Sequence, residues 1–528
     1  MKYGNLNASA ATLTKNRTED SIVPISGMCA TCVDGCIGMC EIGKSAYRGP
    51  EVIYPQPFGL ITSASEKEYP VDLSHFTILG SCRGAHGIEE DSEKALFENV
   101  NLEQTLGHDN GIKVKIPIVV PGLGSTNIAK NNWEGLAIGA AISGILLTIG
   151  ENVCGMDPES TIKDGRVVHS PQLEKRIRLF QQWQQDGYGG IVLQANVEDT
   201  KLGVHEYAIE KLGIEIVEIK WGQGAKDIGG EVKIKDLKRA QMLKQRGYVV
   251  LPDPHDPNVI DAFNKHVFHE FERHSRLGMV EIESFIERVE KLRSSGAKYI
   301  FLKTGAYRPS DLAIAVKCAS EAKIDMLTVD AAGGGTGMSP WRMMNEWGVP
   351  PVELWSLYYK YLVKLADYGK YIPAAAIASG ISMEDQMFKG LALGAPYFKM
   401  IGMARAPLAA AMVGKNIGLC IEKDDLPVYV SRFGRRKDEI FETSPELQTR
   451  FGAKFDEIPT GAIGLYTYLK RLHQGLRQIM CGSRKFSLSN IDRNDIAALT
   501  REASNISHIP YIMDCDKEEA EKILEYKI

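Results

Sequence analysis

Short apolar runs alternate with longer amphipathic segments from about Gly111 onward. Segments such as "SPQLEKRIRLFQQWQQ" and "IESFIERVEKLRSS" place apolar residues at helical spacing with charges on the opposite face, which is typical of helices packed on a sheet. The apolar runs between them are "IPIVV" (116–120), "GILLTI" (144–149), "GIVLQ" (190–194), "IEIVEIK" (214–220), "YIFLK" (299–303), "IDMLTV" (324–329), "IPAAAIA" (372–378) and "YFKMI" (397–401).

Eight strand-like runs that alternate with helices predict an α/β fold, a closed and parallel (β/α)8 TIM barrel over residues 111–415. The alternative is an open doubly wound sheet, which would carry a glycine fingerprint after its first strand. The first run continues into "VVPGLGSTN", a poor match to that fingerprint. The barrel is therefore the predicted fold.

The segments outside the barrel pattern differ in character. Residues 1–110 are predicted to form an irregular N-terminal region with a cysteine cluster, and residues 416–528 a helical C-terminal appendage. In the appendage, "LYTYLKRLHQGLRQIM" carries an apolar stripe that predicts a core helix. The connection from Trp221 to Ala297 is too long for a barrel loop and contains "LPDPHDPNVIDAF", so we expect an excursion over the barrel mouth.

The composition is ordinary for a globular protein and excludes several classes of partner. The 528 residues are 44% hydrophobic and 24% charged, with a formal net charge of −5. This charge gives no reason to expect nucleic acid or an anionic membrane as a partner. No signal-peptide core precedes residue 22, and the stretch from Gly135 to Gly150 is too short to span a bilayer. We therefore expect a cytoplasmic protein, and a homo-oligomer.

Four of the ten cysteines, Cys29, Cys32, Cys36 and Cys40, lie together in "CATCVDGCIGMC". Their spacing is too tight for ordinary disulfides and suits thiolates that converge on one metal centre. An iron–sulfur cluster, 4Fe-4S or 3Fe-4S, is the first interpretation, because four soft ligands lie within one short loop. Structural zinc and a plain thiol cluster remain open as alternatives.

Glycines gather where the sixth, seventh and eighth predicted strands end. These strands run into "DAAGGGTGMSP" (330–340), "ASGIS" (378–382) and "IGMAR" (401–405). TIM-barrel active sites lie at the C-terminal ends of the strands, and phosphate commonly binds after strands seven and eight. The backbone N–H groups of Gly380 and Gly402 can approach an anion there, and Arg405 can add a charged contact. Bare main chain beside a phosphate site favours FMN, and ordinary turns between elements are the alternative.

Lys303 ends the strand "YIFLK", where an inward-facing cation is costly to bury. Flavin reduction places negative charge at N1 and the C2 carbonyl of the ring, so a fixed ammonium group there stabilises the reduced form. Lys303 is therefore a candidate for flavin contact and catalysis. The alternative is a lysine that bends out to solvent.

Several segments resemble the flavin domain of the glutamate synthase family, in the family's order. "WGQGAKDIGGEVKI" (221–234) is similar to the family's "QGAKPGEGG" segment, and "DAAGGGTGMSP" resembles its glycine-rich segment. "PGLGSTNIAKNNWEGLAIGA" (121–140), "TIGENVCG" (148–155) and "RLHQGLRQIMCGSRKFSLSNI" (471–491) also resemble parts of that domain. The resemblance covers about residues 111–510. It implies a (β/α)8 barrel with FMN and an iron–sulfur cluster.

The resemblance also implies roles for individual residues. Residues matching flavin-lining positions are Pro121, Gly122 and Ser125, while Gln223 and Lys303 match polar contacts to the ring. Residues matching the phosphate end are Gly334, Gly335, Gly380, Gly402 and Met403. Lys226 and Glu151 match positions near the substrate, where an ammonium and a carboxylate can bind an oxo acid and move a proton.

The sequence also departs from the family pattern. The segment after the last barrel strand, "MIGMARAPLAAAMVGKNIG", lacks the family's cluster cysteines, and no glutaminase domain precedes the barrel. Ammonia is therefore expected from solution or from a separate glutaminase subunit. The family's "GRFGV" segment is replaced by "DGYGGIVLQANVEDTKLGVHEY" (186–207). This leaves Asn196, Glu198, Asp199 and His205 as substrate-side candidates without an assigned role.

These observations predict a glutamate-synthase-like oxidoreductase that uses FMN and an iron–sulfur cluster. It would reduce an imine formed from a 2-oxo acid and ammonia, as in the conversion of 2-oxoglutarate to glutamate. The expected electron donor is ferredoxin or an NAD(P)H-oxidising subunit, because no dinucleotide fingerprint occurs in the chain. Three alternatives remain: amino-group transfer on FMN as in N-methylglutamate synthesis, a non-catalytic electron-transfer subunit, and oxidation of a hydroxy acid with His205 or His255 as the base.

Overall fold

The computed structural model describes residues 34, 36–37, 41–54, 67, 69–185, 187–224, 231–333 and 339–525 of the chain. Ahead of the barrel lie helix α1 (Glu41–Arg48) and strands β1 (Phe76–Ile78), β2 (Gln104–Leu106) and β3 (Ile112–Val114). Strands β2 and β3 pair as an antiparallel hairpin. The chain enters the barrel directly after this hairpin.

The first half of the barrel contains four of its strands and the helices that follow them. Its elements are β4 (Ile118–Val120), α2 (Asn127–Ser143), β5 (Leu146–Thr148), α3 (Val153–Met156), β6 (Thr161–Lys163), β7 (Arg166–His169), α4 (Pro171–Gln181), β8 (Gly190–Ala195), α5 (Val197–Leu202), α6 (Val204–Leu212) and β9 (Ile216–Lys220). The Thr126 hydroxyl caps α2 by accepting the Ala129 N–H, and Gly144 ends the helix with φ +67°. The β6–β7 hairpin stands outside the barrel.

The chain then leaves the barrel as an insertion, residues 231–276. Its elements are β10 (Glu231–Ile234), α7 (Leu237–Gln245), β11 (Val249–Leu251), α8 (Pro257–Asn264) and β12 (Phe271–His274). The strands form an antiparallel sheet in the order β10-β12-β11. Ile234, Leu243 and Phe271 build a small apolar core together with Met156 of α3. The insertion is therefore anchored to the loop that follows β5.

The N-terminal segment 41–54 packs against this insertion. The Tyr54 hydroxyl donates to Glu272 Oε2 at 3.2 Å, and Lys233 Nζ lies 3.7 Å from the centroid of the Tyr54 ring. Arg48 donates from Nη1 to the carbonyl of Val267 at 3.3 Å. The chain that directly follows the predicted cysteine cluster thus lies against the sheet of the insertion.

The second half of the barrel completes the pattern of strands and helices. Its elements are α9 (Ile282–Ser294), β13 (Tyr299–Thr304), α10 (Pro309–Glu321), β14 (Met326–Asp330), α11 (Trp341–Glu346), α12 (Pro351–Asp367), β15 (Ala374–Ala378), α13 (Glu384–Leu393) and β16 (Phe398–Gly402). The barrel closes in the order β4-β5-β8-β9-β13-β14-β15-β16, with β16 pairing back to β4. All neighbouring pairs are parallel. The predicted (β/α)8 barrel is confirmed, and each of the eight predicted runs overlaps one of its strands.

Two apolar cores hold the barrel together. Inside the strands, Val192, Ile216 and Phe301 pack in the interior with Leu106 and Ile112 of the β2–β3 hairpin, which closes the N-terminal end of the barrel. Outside the strands, a second core joins the barrel to its helices and to the C-terminal region. Because side chains alternate between the two faces of a strand, each barrel strand contributes to both cores.

The C-terminal region is helical and packs on the barrel and on the N-terminal region. Its elements are α14 (Arg405–Glu422), α15 (Val428–Ser431), α16 (Lys437–Ile440), α17 (Ser444–Phe451), α18 (Thr460–Gly482), β17 (Ile496–Ala498), α19 (Arg501–Ser507) and α20 (Lys517–Leu524). The predicted apolar stripe of α18 is buried, and β17 pairs with β1 so that Ala498 lies opposite Phe76. Among the described helices, none combines the length and the apolar character needed to cross a bilayer.

Candidate active site

The mouth of the barrel, at the C-terminal ends of the strands, carries a ring of inward-facing side chains. The barrel interior below the mouth is lined by Val192, Ile216 and Phe301. Because side chains on one face of a strand recur every second residue, the residues two positions further along each strand face inward at the mouth. Applied to the seven barrel strands other than β4, this alternation gives Thr148, Gln194, Glu218, Lys220, Lys303, Thr328, Asp330, Ala376, Ala378 and Gly402. The ring has a polar half, from β5 to β14, and a half of small residues on β15 and β16.

The half of small residues leaves space against bare main chain. Ala376 and Ala378 follow each other on the inner face of β15, and Gly402 lies beside them on β16. A Cβ atom added to Gly402 would stand 2.7 Å from the Ala378 Cβ atom. Larger side chains on these two strands would fill the space, so this half of the mouth is shaped to accept a flat group.

Lys303 points into the mouth and does not bend out to solvent. Its side chain is 4% exposed, and Nζ lies 3.1 Å from Asp330 Oδ2 on the next strand. Burial alone would lower the pKa of Lys303, but the carboxylates of Asp330, Glu218 and Glu151 act against it, and the pKa is raised. The ammonium group is therefore charged and held in place.

Lys220 is a second lysine of the polar half and was not among the predicted site residues. It lies beside Lys303 in the register of β9 and β13. Its Nζ atom contacts Glu151 Oε1 at 2.6 Å, Glu151 Oε2 at 2.7 Å and Gln223 Oε1 at 2.6 Å. Burial raises the pKa of Glu151, but the neighbouring Lys220 and Lys303 outweigh burial and lower it. Glu151 and Gln223, two predicted site residues, are thus joined by Lys220.

Two buried polar atoms of the mouth have no hydrogen-bond partner among the described residues. They are Gln194 Oε1 and Thr328 Oγ1, both on inward positions. Gln194 uses its Nε2 group to donate to Glu218 Oε1. Burial raises the pKa of Glu218. Since buried polar atoms are normally hydrogen-bonded, these two atoms point to a group that binds in the mouth.

Glycines bring the loops after β4 and β5 into direct backbone contact. A Cβ atom on Gly122 would lie 2.4 Å from Gly150 Cα, and one on Gly150 would lie 2.3 Å from Gly124 N. Gly150 also has φ +84°. Pro121 and Ser125 flank this contact on the loop after β4. The predicted flavin-lining residues Pro121, Gly122 and Ser125 therefore lie on one rim loop, which admits only glycine at its closest point.

The predicted phosphate corner lies after β15 and β16. Gly380 is exposed with φ +67°, a conformation that favours glycine, and Arg405 is an exposed residue in the first turn of α14. The first N–H groups of a helix lack intrahelical partners and suit an anion. Met403 differs from its neighbours, because its side chain is buried and its N–H donates to the carbonyl of Val119 at 3.0 Å. The groups that remain to face a phosphate belong to Gly380, Ala404 and Arg405.

Several predicted site residues lie outside the described residues: Gly334, Gly335, Lys226, Cys29, Cys32 and Cys40. Cys36 is described and is exposed. Within the part of the chain that the structure describes, no group of three or more His, Cys, Asp and Glu side chains is arranged to hold a metal ion. The metal centre therefore stays a prediction from the sequence.

Three substrate-side candidates lie on α5, next to the mouth. Asn196 caps the helix, with Oδ1 accepting the N–H groups of Glu198 and Asp199 at 3.0 and 3.1 Å. Glu198 Oε2 pairs with Arg276 Nη1 of the insertion at 3.1 Å. Asp199 is buried, and its Oδ2 accepts the N–H of Asn152 at 2.6 Å. Burial raises the pKa of Asp199 to about 7, so near neutral pH it holds a proton about half of the time.

Neither histidine proposed as a base lies in the mouth. His205 is on α6, where its Nε2 contacts the carbonyl of Leu193 at 3.1 Å on the outer side of β8. Burial, with the charge of Arg288, lowers the pKa of His205 to about 4. His255 is an exposed residue of the insertion. The geometry therefore gives no support to hydroxy-acid oxidation with either histidine.

A family model supports the resemblance read from the sequence. Residues 272–420 match the model described as the conserved region in glutamate synthase. The matched segment starts within β12 and ends within α14, so it includes Lys303, Asp330, Gly380 and Arg405. The resemblance to the glutamate synthase family is confirmed over this half of the barrel.

Two solved structures are similar to the chain only at a distance. The flavin-binding domain of baker's yeast flavocytochrome b2 is 12% identical, with a TM-score of 0.46 over 86% of this chain and 83% of that chain. A lactate oxidase from Pediococcus acidilactici is 11% identical, with a TM-score of 0.44 over 81% of this chain and 84% of that chain. Likenesses at this level say nothing of substrate or cofactor. No curated protein sequence matches the chain.

Proposed function

Because residues 272–420 carry the conserved region of glutamate synthase, we propose that the chain is an FMN-dependent oxidoreductase that reduces a carbon–nitrogen double bond. FMN supplies the exchange of an electron pair with a small-molecule substrate. The observation that carries the proposal is the divided mouth of the barrel, with a buried, charged Lys303 on one side and the bare strands β15 and β16 on the other.

The residues of the mouth fit a flavin in size and in chemistry. Ala376, Ala378 and Gly402 leave room for a flat ring against main chain. Gln194 Oε1 and Thr328 Oγ1 lack a partner among the described residues, and a ring with N–H and carbonyl groups would satisfy them. The loops after β15 and β16 supply Gly380 and Arg405 for a phosphate.

Lys303 has the role of a fixed positive charge beside the ring. Asp330 holds its Nζ atom at 3.1 Å, and burial keeps water from screening it. A charge held in this way stabilises negative charge that develops on a neighbouring group, without reorganisation during the reaction. Lys303 therefore raises the reduction potential of a flavin bound next to it.

The pair of Lys220 and Glu151 provides the substrate side of the mouth. An ammonium group and a carboxylate at one rim can bind the carboxylate and the nitrogen of an imino acid, respectively. Two neighbouring carboxyl groups have raised pKa values, Glu218 and Asp199. A carboxyl group that keeps its proton near neutral pH can deliver it to the nitrogen of the reduced product.

The specific reaction we propose is the reduction of an imine formed from a 2-oxo acid and ammonia, as in the synthesis of glutamate from 2-oxoglutarate. Electrons would arrive from ferredoxin or an NAD(P)H-oxidising subunit through an iron–sulfur cluster on Cys29, Cys32, Cys36 and Cys40. Support for this entry point comes from α1, which begins directly after Cys40 and leads into the segment packed on the insertion. Ammonia would come from solution or a separate glutaminase subunit.

The test begins with protein purified without oxygen, in which the FMN content per chain and the flavin reduction potential are measured. We expect about one FMN per chain and a lower potential in Lys303→Met, because the fixed charge near the ring is lost. Lys399→Met is the matched control, since Lys399 lies on β16 but borders a small cavity with Leu391 and Leu488 outside the barrel.

Each outcome has a definite meaning. A protein that is colourless and does not take up added FMN contradicts the proposal. Equal potentials in wild type and Lys303→Met remove Lys303 from the flavin. If 2-oxoglutarate and ammonia together leave the reduced flavin unchanged, glutamate synthesis is wrong while the flavoprotein assignment stands.

A further inference from the structure

The insertion carries a fully buried arginine whose guanidinium group is mostly unpaired. Arg273 lies on β12, and its side chain is shielded from solvent. Nη1 donates to the hydroxyl of Ser275, and the guanidinium carbon lies 4.9 Å from the centroid of the Tyr248 ring. Nε and Nη2 have no hydrogen-bond partner in the described chain. Burying a charge in this way is costly unless a partner binds to it.

The unpaired atoms of Arg273 belong to one edge of the guanidinium group. Nε and Nη2 donate in parallel from that edge, which is the arrangement that binds both oxygens of a carboxylate. The hydrogen bond to Ser275 uses the other end of the group and leaves this edge intact. The stacked Tyr248 ring fixes the plane of the guanidinium group.

Three further unpaired polar atoms occupy the same buried region. Within the described residues, Tyr248 OH, Asp199 Oδ1 and Asn152 Oδ1 have no partner. Asp199 is bonded to the backbone of Asn152 at 2.6 Å, and Asp199 and Tyr248 both interact electrostatically with Arg273. Two of these atoms accept hydrogen bonds, so the region offers acceptors for a nitrogen beside donors for a carboxylate.

This region lies between the mouth of the barrel and the surface. Asn152 follows Glu151 of the mouth directly in sequence, and Arg273 interacts electrostatically with Glu151. On the outer side, Tyr248 and Glu198 line a cleft of about 710 Å³ between the insertion and the loops after β5 and β8. Tyr248 thus has the cleft on one side and Arg273 on the other.

We propose that Arg273, with Tyr248, Asp199 and Asn152, binds the carboxylate and the adjacent nitrogen or oxygen of an amino acid or a 2-oxo acid. The free guanidinium edge takes the carboxylate, and Asp199 and Asn152 face the neighbouring polar atom. The inference rests on the proposed function in one respect, since the ligand would be the substrate or product of that reaction. It adds a recognition site for the acid on the insertion, beside the Lys220 and Glu151 pair of the mouth.

The test measures binding of L-glutamate and of 2-oxoglutarate by calorimetry, with n-butylamine as a probe that lacks a carboxylate. We expect wild type to bind at least one of the two acids and not n-butylamine. Arg273→Met should weaken this binding roughly ten- to hundredfold, because two charge-assisted hydrogen bonds are lost. Arg273→Lys should recover part of it, and Tyr248→Phe should weaken binding without unfolding, since the hydroxyl has no partner in the described residues.

A stability readout separates recognition from a structural role. Arg273→Met replaces an unpaired buried charge, so its melting temperature should equal or exceed that of wild type in the absence of ligand. L-glutamate or 2-oxoglutarate should raise the melting temperature of wild type but not of Arg273→Met. Arg450→Met is the control, because Arg450 of α17 also has an unpaired Nη2 atom within the described structure but lies in the C-terminal region.

The outcomes distinguish this inference from the proposed function. It is overturned if wild type binds neither acid, if n-butylamine binds equally well, or if Arg273→Met and Arg450→Met bind the acids as wild type does. In any of those cases, the FMN content per chain and the flavin reduction potential still test whether the chain is a flavoprotein. If the chain binds no FMN but binds a carboxylate through Arg273, the inference stands and the proposed function is wrong.

Discussion

The carboxyl group of Asp199 is buried, where a negative charge is costly. It lies on α5, and burial raises its pKa from 3.8 to about 7. The folded protein therefore binds a proton at this site that the unfolded chain releases, over the range from about pH 4 to pH 7. Stability is unaffected below that range, falls as the pH rises through it and stays lower above it.

Asp199→Asn should remove this fall in stability with rising pH. Between pH 5 and pH 8 the free energy of unfolding of wild type should fall relative to that of the variant by roughly 2.6 kcal/mol. The asparagine oxygen can still accept the N–H of Asn152. Urea denaturation at the two pH values measures the difference.

The control for this experiment is Asp253→Asn, which removes an exposed carboxylate of the insertion whose pKa is lowered. It should leave the decline of wild type in place. If Asp199→Asn shows the same pH dependence as wild type, Asp199 is not the group that titrates near neutral pH.

Single residues of the mouth and of the insertion differ in how well the sequence predicts them. Lys303 stands out because a lysine that ends a buried strand is conspicuous. Lys220 ends the preceding barrel strand in the same register. It meets the same criterion, so it could also have been predicted from the sequence. Arg273 could not be predicted, because β12 is too short for its pattern to show which face is buried. Only the fold brings Arg273 next to Tyr248.

Loops are the elements that shape the mouth, and their spacing depends on glycine. The loops after β4 and β5 touch at Gly122 and Gly150, where a Cβ atom on Gly122 would lie 2.4 Å from backbone. Backbone cannot move aside as the end of a flexible side chain can. The two rim loops therefore hold their positions only while both residues lack a side chain.

Gly122→Ala should push these two loops apart and weaken FMN binding. Overpacking of this kind costs about 1–3 kcal/mol, and we expect roughly a tenfold or greater loss of affinity. Fluorescence titration of the flavin-free protein with FMN measures it. Gly482→Ala, at the end of α18, is the control because nothing lies within 4 Å of its added Cβ atom. Equal FMN affinity in the two variants would show that this contact does not support the flavin site.

At the scale of the whole molecule, the apolar strands were predictable and the contacts between distant segments were not. Parallel barrel strands are covered on both faces, so each appears as a continuous apolar run. The strands of the β2–β3 hairpin are three residues each and too short for a pattern. The pairing of Phe76 with Ala498 joins opposite ends of the chain, and no local signal in either segment specifies it.

The proposed iron–sulfur centre is a property of the assembled molecule and is tested by its metal content. Protein purified without oxygen should contain iron, and Cys36→Ala should lose iron while FMN stays bound, because a cluster ligand is removed. Cys82→Ala is the control, since Cys82 is an exposed cysteine outside the group of four. Metal analysis and the visible spectrum report the result. Zinc in place of iron would favour the structural alternative, and unchanged iron in Cys36→Ala would exclude Cys36 as a ligand.

The β2–β3 hairpin affects how small molecules enter and leave the barrel. Leu106, Ile112 and Val114 stop the lower end of the barrel with apolar side chains. Among the described residues, the opening at the C-terminal ends of the strands is then the route by which a molecule would reach Lys220 and Lys303. An incoming substrate and a departing product would share that opening, so we expect accumulated product to slow the entry of further substrate.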